Sequence, residues 1–302
     1  MTLKDDIQAV LTQANIDAGV AVWHIESGEQ TDVNGDVPYP MASTFKIPIL
    51  ATVFTQIKEG KLSLETRYKL TTEVKSPGSG ILPYFQEGLE PTLLDMLTLM
   101  IIISDNTATD MIVDILGGPD VVESYMHQLG LTNIYFKMNC KDLIAELFPP
   151  EIRNLSPEEI EAWSATNDVV RDGRVFSLMP DNDIATANDM NKLLHMIYTG
   201  ELFDGELRET ALGILFKQQF NVRMTRFFPP SVKVAHKTGT IGGIRNDSGI
   251  IYINDDTHVI LTLFVEWDAV NVWDKPEAEL KRIFEVETAM GRIGLLVLEA
   301  YQ

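Results

Sequence analysis

The first part of the chain carries a helix pattern followed by a strand pattern. Apolar residues recur at helical spacing within residues 2–15, namely at Leu3, Ile7, Val10 and Leu11. The next stretch, Ala18–Ile25, is almost entirely apolar and is followed by Ser27-Gly28. It predicts a buried strand that ends in a turn.

The middle of the chain, from about residue 43 to residue 216, has mostly helical spacing. Leu93–Ile103 is a long apolar stretch typical of a buried helix. The helix predicted after it ends at Gly117-Gly118-Pro119, which is a strong terminator. Residues 188–198 form another amphipathic helix pattern, closed by Gly200.

The last part of the chain returns to strands. Val232–His236, Gly249–Ile253 and His258–Trp267 read as successive strands, and Glu277–Tyr301 reads as a long helix. Together with the first helix and strand, these elements predict an α/β (α+β) fold in which helices flank one antiparallel sheet. We expect a discontinuous α/β domain, residues 1–42 and 217–302, interrupted by an all-helical domain, residues 43–216.

Composition and charge exclude some classes of function. The chain has 302 residues, of which 45% are hydrophobic and 23% charged, as in an ordinary globular protein. It contains no run of about 18 apolar residues, so we expect no membrane-spanning segment. The formal net charge of −20 argues against nucleic acid and anionic membrane surfaces as partners. No sequence pattern specifies an oligomeric state.

Two features bear on the compartment. The first residues, MTLKDDIQAV, lack the apolar region of a signal peptide, and the lone Cys140 fits a reducing environment. We therefore expect a cytoplasmic protein, or a secreted one if a leader has been removed.

The segment Ser43-Thr44-Phe45-Lys46 is the first candidate for chemistry. A serine hydroxyl is a poor nucleophile at neutral pH and needs a partner that takes its proton. Side chains three residues apart on a helix project from the same face, so Lys46 can meet Ser43. A single S-x-x-K pair is common by chance. This pair is followed in order by Ser104-Asp105-Asn106 and Lys237-Thr238-Gly239.

This ordered set resembles the class A β-lactamases and penicillin-binding proteins, whose motifs are S-x-x-K, S-D-N and K-T-G. The flanking residues fit as well, in the segments 41–46, 103–108 and 236–240. The predicted helices and strands also follow the order of that family over nearly the whole chain. The resemblance implies a serine hydrolase with its active site at the interface of the two domains.

The resemblance also implies a role for each motif residue. Ser43 would attack a carbonyl and become acylated, and Lys46 would be the base. Ser104 would relay a proton to the leaving nitrogen, and Asn106 would bind the substrate amide or Lys46. Lys237 and Thr238 would bind the substrate carboxylate, and the amides of Ser43 and Thr240 would form the oxyanion hole.

Two further positions have alternative interpretations. Gly239 would leave room for substrate lying against the strand, whereas an ordinary hairpin glycine is the alternative. Arg245, in the turn after that strand, would be a second clamp on the carboxylate. Its alternative is a turn arginine paired with Asp247.

One element of the family pattern is missing. Class A β-lactamases release the acyl group with a glutamate in an E-x-x-L-N loop, and no such motif lies between Ser104 and the segment 186–190. Residues 135–183 are instead enlarged and carry glutamates in other contexts: Glu146, Glu151, Glu158, Glu159 and Glu161. Ser156-Pro157-Glu158-Glu159 is typical of a helix N-terminus rather than of a catalytic loop.

Three functions therefore stay open. The first is β-lactam hydrolysis through an acylated Ser43. The second is a D,D-peptidase, amidase or esterase of the same fold, and the third is a penicillin-binding protein that acylates without turnover. In each case the partner is a small-molecule amide or β-lactam. The absence of H-E-x-x-H and of Cys/His clusters predicts that no metal or other cofactor is used.

Overall fold

The computed structural model describes residues 2–153, 159, 162–163, 166–167, 170, 173–268 and 275–302. Its first helix, α1 (Leu3–Ala14), begins at Thr2, whose side chain accepts a hydrogen bond from the amide of Asp5, while the Asp5 carboxylate accepts one from the amide of Thr2. The strands are β1 (Asp17–His24), β2 (Gln30–Val33), β3 (Pro38–Pro40), β4 (Ile184–Thr186), β5 (Lys233–Ile241), β6 (Ile244–Asn254) and β7 (Thr257–Glu266).

The main sheet has five antiparallel strands in the order β2-β1-β7-β6-β5. The first strand of the chain therefore lies in the sheet next to the last, with Val20 opposite Leu263. Strand β5 forms one edge, where it pairs with β6 only. The predicted fold class is confirmed.

Helices cover both faces of this sheet. The helices after α1 are α2 (Lys46–Lys58), α3 (Leu93–Ile102), α4 (Asn106–Leu116), α5 (Pro119–Gln128), α6 (Cys140–Ala145), α7 (Ala187–Thr199), α8 (Gly205–Leu215) and α9 (Pro276–Ala300). One face packs on α1 and α9 through side chains such as Ile7, Leu263 and Ile293. The other face shares a continuous core with the helices α2–α8. The division into two domains stays a prediction.

Two element boundaries differ from the sequence prediction. Strand β5 runs to Ile241, five residues beyond His236, because its polar residues pair with β6 up to Ile244. The range predicted to be all helical also contains the short strand β4, which pairs with β3. This pair links the segment just before Ser43 to the segment after residue 183. None of the described helices is long and apolar enough to cross a bilayer.

Candidate active site

Ser43 lies on a 3₁₀ turn, Ala42–Phe45, that runs directly into α2. The sequence predicts one helix here, and the structure differs by making its first turn tighter. The amide of Lys46 donates to the carbonyl of Ser43, and residues three apart are eclipsed in a 3₁₀ turn. Ala42 has a φ of 44°, an uncommon value for a residue other than glycine. The chain is thus strained next to Ser43.

The amine of Lys46 is buried and surrounded by acceptors. Its Nζ donates to the carbonyl oxygen of Ser104 at 2.8 Å, to Ser104 Oγ at 3.0 Å and to Asn106 Oδ1 at 2.9 Å. Burial lowers the pKa of Lys46, and the charges of Asp110 and Asp105 only partly oppose this shift. A lysine whose charged form is disfavoured in this way gives up its proton more readily than a free lysine.

The segment Ser104-Asp105-Asn106 connects α3 to α4. Ser104 has a φ of 61° and so turns sharply towards Lys46. Asp105 begins α4 by accepting from the amide of Ala108 at 2.9 Å, and it also accepts from the amide of Leu82 at 2.9 Å. Asn106 donates to the carbonyl of Pro77 at 2.9 Å. Asp105 is therefore architectural, whereas the other two residues face Lys46.

Strand β5 brings Lys237, Thr238, Gly239 and Thr240 alongside the 3₁₀ turn. Lys237 is fully buried, and its Nζ donates to the carbonyl of Thr238 at 2.7 Å. Burial and then the charge of Lys46 lower the pKa of Lys237 well below its usual range. The charge of Lys46 thus adds to burial in disfavouring the charged form of Lys237.

The structure explains why position 239 is a glycine, which the sequence alone does not. A Cβ at this position would lie 2.7 Å from the carbonyl oxygen of Met41 and 3.1 Å from the amide nitrogen of Ser43. Glycine thus allows β5 to approach the nucleophile's own backbone, rather than only making room for substrate. This approach brings the amides of Ser43 and Thr240 to the same cleft.

Arg245 lies at the start of β6 rather than in the turn before it, where it is opposite Thr240 and contacts α9. Its guanidinium donates to the carbonyls of Ile241 and Ile244 at 3.1 and 2.9 Å, and its Nε is 3.6 Å from Glu287. The alternative pairing with Asp247 is wrong, because that carboxylate accepts from the amide of Met224 and lies 2.7 Å from Nδ1 of His236. The role of Arg245 as a carboxylate clamp stays a prediction.

Arg223 is a site residue that the sequence did not reveal. Its Nη1 donates to the carbonyls of Gly239 and Asn246, both at 2.7 Å, and its Nη2 contacts Oγ1 of Thr240. Burial lowers its pKa to about 10. No motif surrounds this arginine in the sequence, and only the folded chain brings it against β5.

A cavity of about 290 Å³ opens beside Ser43. Ser43, Asn106 and Thr240 line it, together with Cys140 and other residues of α6. Lys46, Ser104 and Lys237 are buried behind this surface. The structure thus brings the three motifs together at one cleft.

The described glutamates of the enlarged region, Glu146, Glu151 and Glu159, do not line this cleft. Glu146 is held by both guanidinium nitrogens of Arg153, at 3.1 and 3.0 Å, and Glu151 is exposed. The proposed helix start at Ser156-Pro157 and the side chains of Glu158 and Glu161 lie outside the described residues. None of the described residues that line the cavity is a carboxylate. Nor do the described residues contain a group of His, Cys, Asp or Glu side chains arranged to hold a metal ion.

Asp183 holds the segment that precedes α6. Its Oδ1 accepts from the amides of Lys137 at 2.6 Å and Met138 at 3.0 Å, while its buried Oδ2 has no hydrogen-bond partner among the described residues. Its backbone carbonyl accepts from the amide of Met41, two residues before Ser43. Burial raises the pKa of Asp183 to about 7, with Arg174 opposing and Glu123 reinforcing the shift.

Asp183→Asn is expected to remove a pH dependence of folding stability. The folded protein keeps the Asp183 proton up to about pH 7, whereas the unfolded chain releases it near 3.8, so stability falls as pH rises between these values. The variant should be more stable than the wild type at pH 8, by at most about 4 kcal/mol, and the difference should close towards pH 4. Urea unfolding at several pH values measures this, with the exposed Asp181→Asn as control. Parallel curves for wild type and Asp183→Asn would contradict it.

The chain resembles known proteins over almost its full length. The family model described as "Beta-lactamase enzyme family" matches residues 2–301. The β-lactamase VEB-1 of Pseudomonas aeruginosa is 28% identical over 273 residues, which cover 88% of this chain and 82% of that protein.

Solved structures give the same result. A β-lactamase from Sphaerobacter thermophilus has a TM-score of 0.76 and 26% sequence identity, covering 98% of this chain and 97% of that one. A mutant of PBP-A, described as an acyl-enzyme complex with penicillin G, has a TM-score of 0.76 and 25% identity, covering 99% and 95%.

Proposed function

The chain belongs to the beta-lactamase enzyme family, and within that family we propose that Ser43 is acylated by a β-lactam or a related amide and that the acyl group is released slowly. The observation that carries this proposal is the composition of the cleft. Ser43 lies beside the Lys46, Ser104 and Asn106 network, and none of the described residues lining the cavity is a carboxylate.

Acylation follows from the groups beside Ser43. Oγ of Ser43 forms a bond to the carbonyl carbon while the C–N bond of the amide breaks. The hydroxyl proton passes to Lys46, whose lowered pKa makes it a base, and through Ser104 to the leaving nitrogen. The amides of Ser43 and Thr240 stabilise the oxyanion, each contributing about 3–4 kcal/mol. Lys237 is buried behind the cavity and donates to the carbonyl of Thr238, so it acts on the substrate carboxylate only indirectly, by holding β5 in place.

Release of the acyl group needs a water molecule and a base that takes its proton. Cys140 lines the cavity, but burial raises the pKa of its thiol well above the usual value, so the thiol stays protonated. Asp110 lies beneath it with its oxygens engaged by the amides of Cys140 and Lys141 at 2.7 and 2.9 Å and by Oγ of Ser76. Among the described residues that line the cavity none is a free base, so we expect water to attack the acyl-enzyme slowly.

Two further observations bear on this proposal. The acyl-enzyme complex of a PBP-A mutant with penicillin G supports acylation in a relative of the same fold. The names of other relatives, such as the β-lactamase VEB-1, instead favour rapid β-lactam hydrolysis. Fast hydrolysis is therefore the second candidate function.

Intact-mass measurement after addition of penicillin G separates the two candidates, alongside hydrolysis of a chromogenic cephalosporin. We expect an adduct that persists after free antibiotic is removed, with weak cephalosporin hydrolysis. Rapid turnover without a persistent adduct would establish the second candidate instead. Absence of both would exclude Ser43 as a nucleophile toward β-lactams, and D-alanyl-D-alanine peptides and simple esters would then be assayed.

A further inference from the structure

Three polar side chains form a hydrogen-bonded row beside β5, on the opposite side of that strand from Lys237. His236 is in the middle: its Nδ1 lies 2.7 Å from Oδ1 of Asp247 on β6, and its Nε2 lies 3.1 Å from Oδ1 of Asn221. His236 and Asp247 are buried, whereas Asn221 is exposed, in the segment between α8 and β5. We call these three residues the His236 network.

The partners of His236 determine its protonation state. The Asp247 carboxylate can only accept a hydrogen bond, so Nδ1 of His236 donates. Nδ2 of Asn221 donates to the carbonyl of Gln218 at 3.2 Å, so the oxygen of this amide is the atom that faces Nε2. Nε2 therefore donates as well, and an imidazole ring with two N–H groups is positively charged. This charge balances that of Asp247, which is fully buried.

Other charged groups lie around the network on three parts of the chain. Arg223 is two residues after Asn221, Lys237 is the next residue of β5 after the histidine, and Glu287 of α9 lies 3.7 Å from Nε of Arg223. Among the described residues, Asp247 is the carboxylate that contacts the imidazole. The hydrogen bond between these two groups is therefore charge-assisted from both sides.

The network fixes the position of the segment that carries Arg223. Asn221 and Met224 flank this arginine along the chain. The first contacts the imidazole, and the second donates its amide to Asp247 at 3.2 Å. The described residues 216–232 form neither a helix nor a strand, so contacts of this kind hold the segment on the sheet.

Arg223 in turn contacts the peptide group that would supply half of the oxyanion hole. Its Nη1 donates to the carbonyl of Gly239 at 2.7 Å, and its Nη2 contacts Oγ1 of Thr240. The carbonyl of Gly239 and the amide of Thr240 belong to one peptide group. A charged donor on that carbonyl polarises the peptide group and so strengthens its N–H as a donor. It also fixes the direction in which the N–H points.

We propose that His236 is a positioning residue for acylation: as an imidazolium it holds the Arg223 segment on β5 and thereby aligns the Thr240 amide with the oxyanion. This inference rests on the proposed acylation of Ser43. The three residues of the network do not line the cavity, so they act on the acylation step and not on the binding of substrate.

Long-range ¹H–¹⁵N spectra of the histidine rings at neutral pH test the protonation state without any substrate. The chain has five histidines, and the signals of His236 are those that are lost in His236→Asn or that move in Asn221→Leu. We expect both ring nitrogens of His236 to carry a proton. One protonated and one bare nitrogen would overturn the inference, whether or not Ser43 is acylated.

The kinetics of adduct formation with penicillin G test the positioning role. His236→Asn keeps an amide donor for Asp247 but loses the charge and the contact with Asn221, and Asn221→Leu loses the same contact from the exposed side. Each variant should lower the limiting rate about 10-fold, while the concentration that gives half of this rate stays as in the wild type. Gln219→Leu is the matched control, because it changes an exposed amide of the same segment that donates to the carbonyl of Lys217, and it should keep the wild-type rate.

The effects of the two substitutions should not add. They remove opposite ends of one hydrogen bond, so the double variant should acylate no more slowly than His236→Asn alone. Wild-type limiting rates in folded single variants, or a double variant slowed by the product of both factors, would overturn the positioning role. Thermal unfolding establishes folding, and the exposed position of Asn221 keeps the test available if His236→Asn does not fold. A wild type that forms no adduct would instead refute the proposed function, and the positioning role with it.

Discussion

Ser43→Ala is expected to abolish the penicillin G adduct and to lower any hydrolysis of a chromogenic cephalosporin by about 10³-fold or more. Alanine removes the atom that forms the acyl bond, and the turn around it keeps its packing, since Ala42, Thr44 and Phe45 supply the buried contacts. Intact mass and cephalosporin absorbance measure the two effects.

Ser63→Ala is the matched control for this loss. Ser63 is exposed and lies between α2 and α3, where its hydroxyl accepts only from the nearby amide of Glu65 at 3.4 Å. Its variant should form the adduct at the wild-type rate. An adduct of the same mass on Ser43→Ala would mean that another residue is the nucleophile.

Cys140→Glu is expected to shorten the lifetime of the acyl-enzyme by about 100-fold, because a positioned general base contributes about 10²–10⁴-fold. Cys140 lines the cavity that Ser43 also lines, and the charge of Lys46 opposes the rise that burial causes in the pKa of its thiol. A carboxylate there would take the proton of the attacking water. Adduct decay after removal of free penicillin G is followed by intact mass, and cephalosporin turnover should rise in parallel.

Cys140→Gln tests whether the effect of Cys140→Glu comes from its basic carboxylate or only from its larger side chain. Glutamine has the shape of glutamate but cannot act as a general base, so its acyl-enzyme should last as long as that of the wild type. Equal shortening by both variants would indicate that disturbed packing, rather than a new base, admits water. Thermal unfolding of each variant establishes that it is folded, since Cys140 is only 3% exposed.

Several features of the candidate site lower the stability of the folded protein. Lys46 and Lys237 are both fully buried, and Ala42 and Ser104 have left-handed backbone conformations. Each feature is unfavourable on its own, by about 1–3 kcal/mol for a strained residue. The folded protein tolerates these features because packing contacts of the surrounding core hold the residues in place. Examples are the contacts of the fully buried Ile47 and Ile49 of α2. Strain and buried titratable groups together are typical of a functional site and support this cleft as the candidate.

Much of the fold was predictable because each element has its own local pattern. The helix predicted over residues 2–15 is α1, and the helix predicted over Glu277–Tyr301 is α9. The end of β5 was not predictable, because Lys237-Thr238-Gly239 is polar and reads as a strand only when β6 supplies its hydrogen bonds. The boundary thus depends on a neighbour that the local sequence does not contain.

The candidate site was likewise predictable only in part. The order and context of S-x-x-K, S-D-N and K-T-G indicated Ser43, Lys46, Ser104 and Lys237 before any coordinates. Arg223 has no such motif, and the carboxylate next to Arg245 is Glu287 rather than the nearby Asp247. Both contacts join segments that only the tertiary structure brings together.

By itself the sequence predicted the main helices, the strands β1, β5, β6 and β7, the family resemblance and the way in which an acyl group would be attached to Ser43. Those conclusions follow from spacing within a few residues and from short motifs in a fixed order. Only the tertiary structure decided what surrounds that serine: Lys46 meets Ser104 across 58 residues of chain, and α6 places Cys140, Leu143 and Ile144 at the cavity. The physical reason is that such contacts depend on the packing of distant segments, which no local spacing encodes.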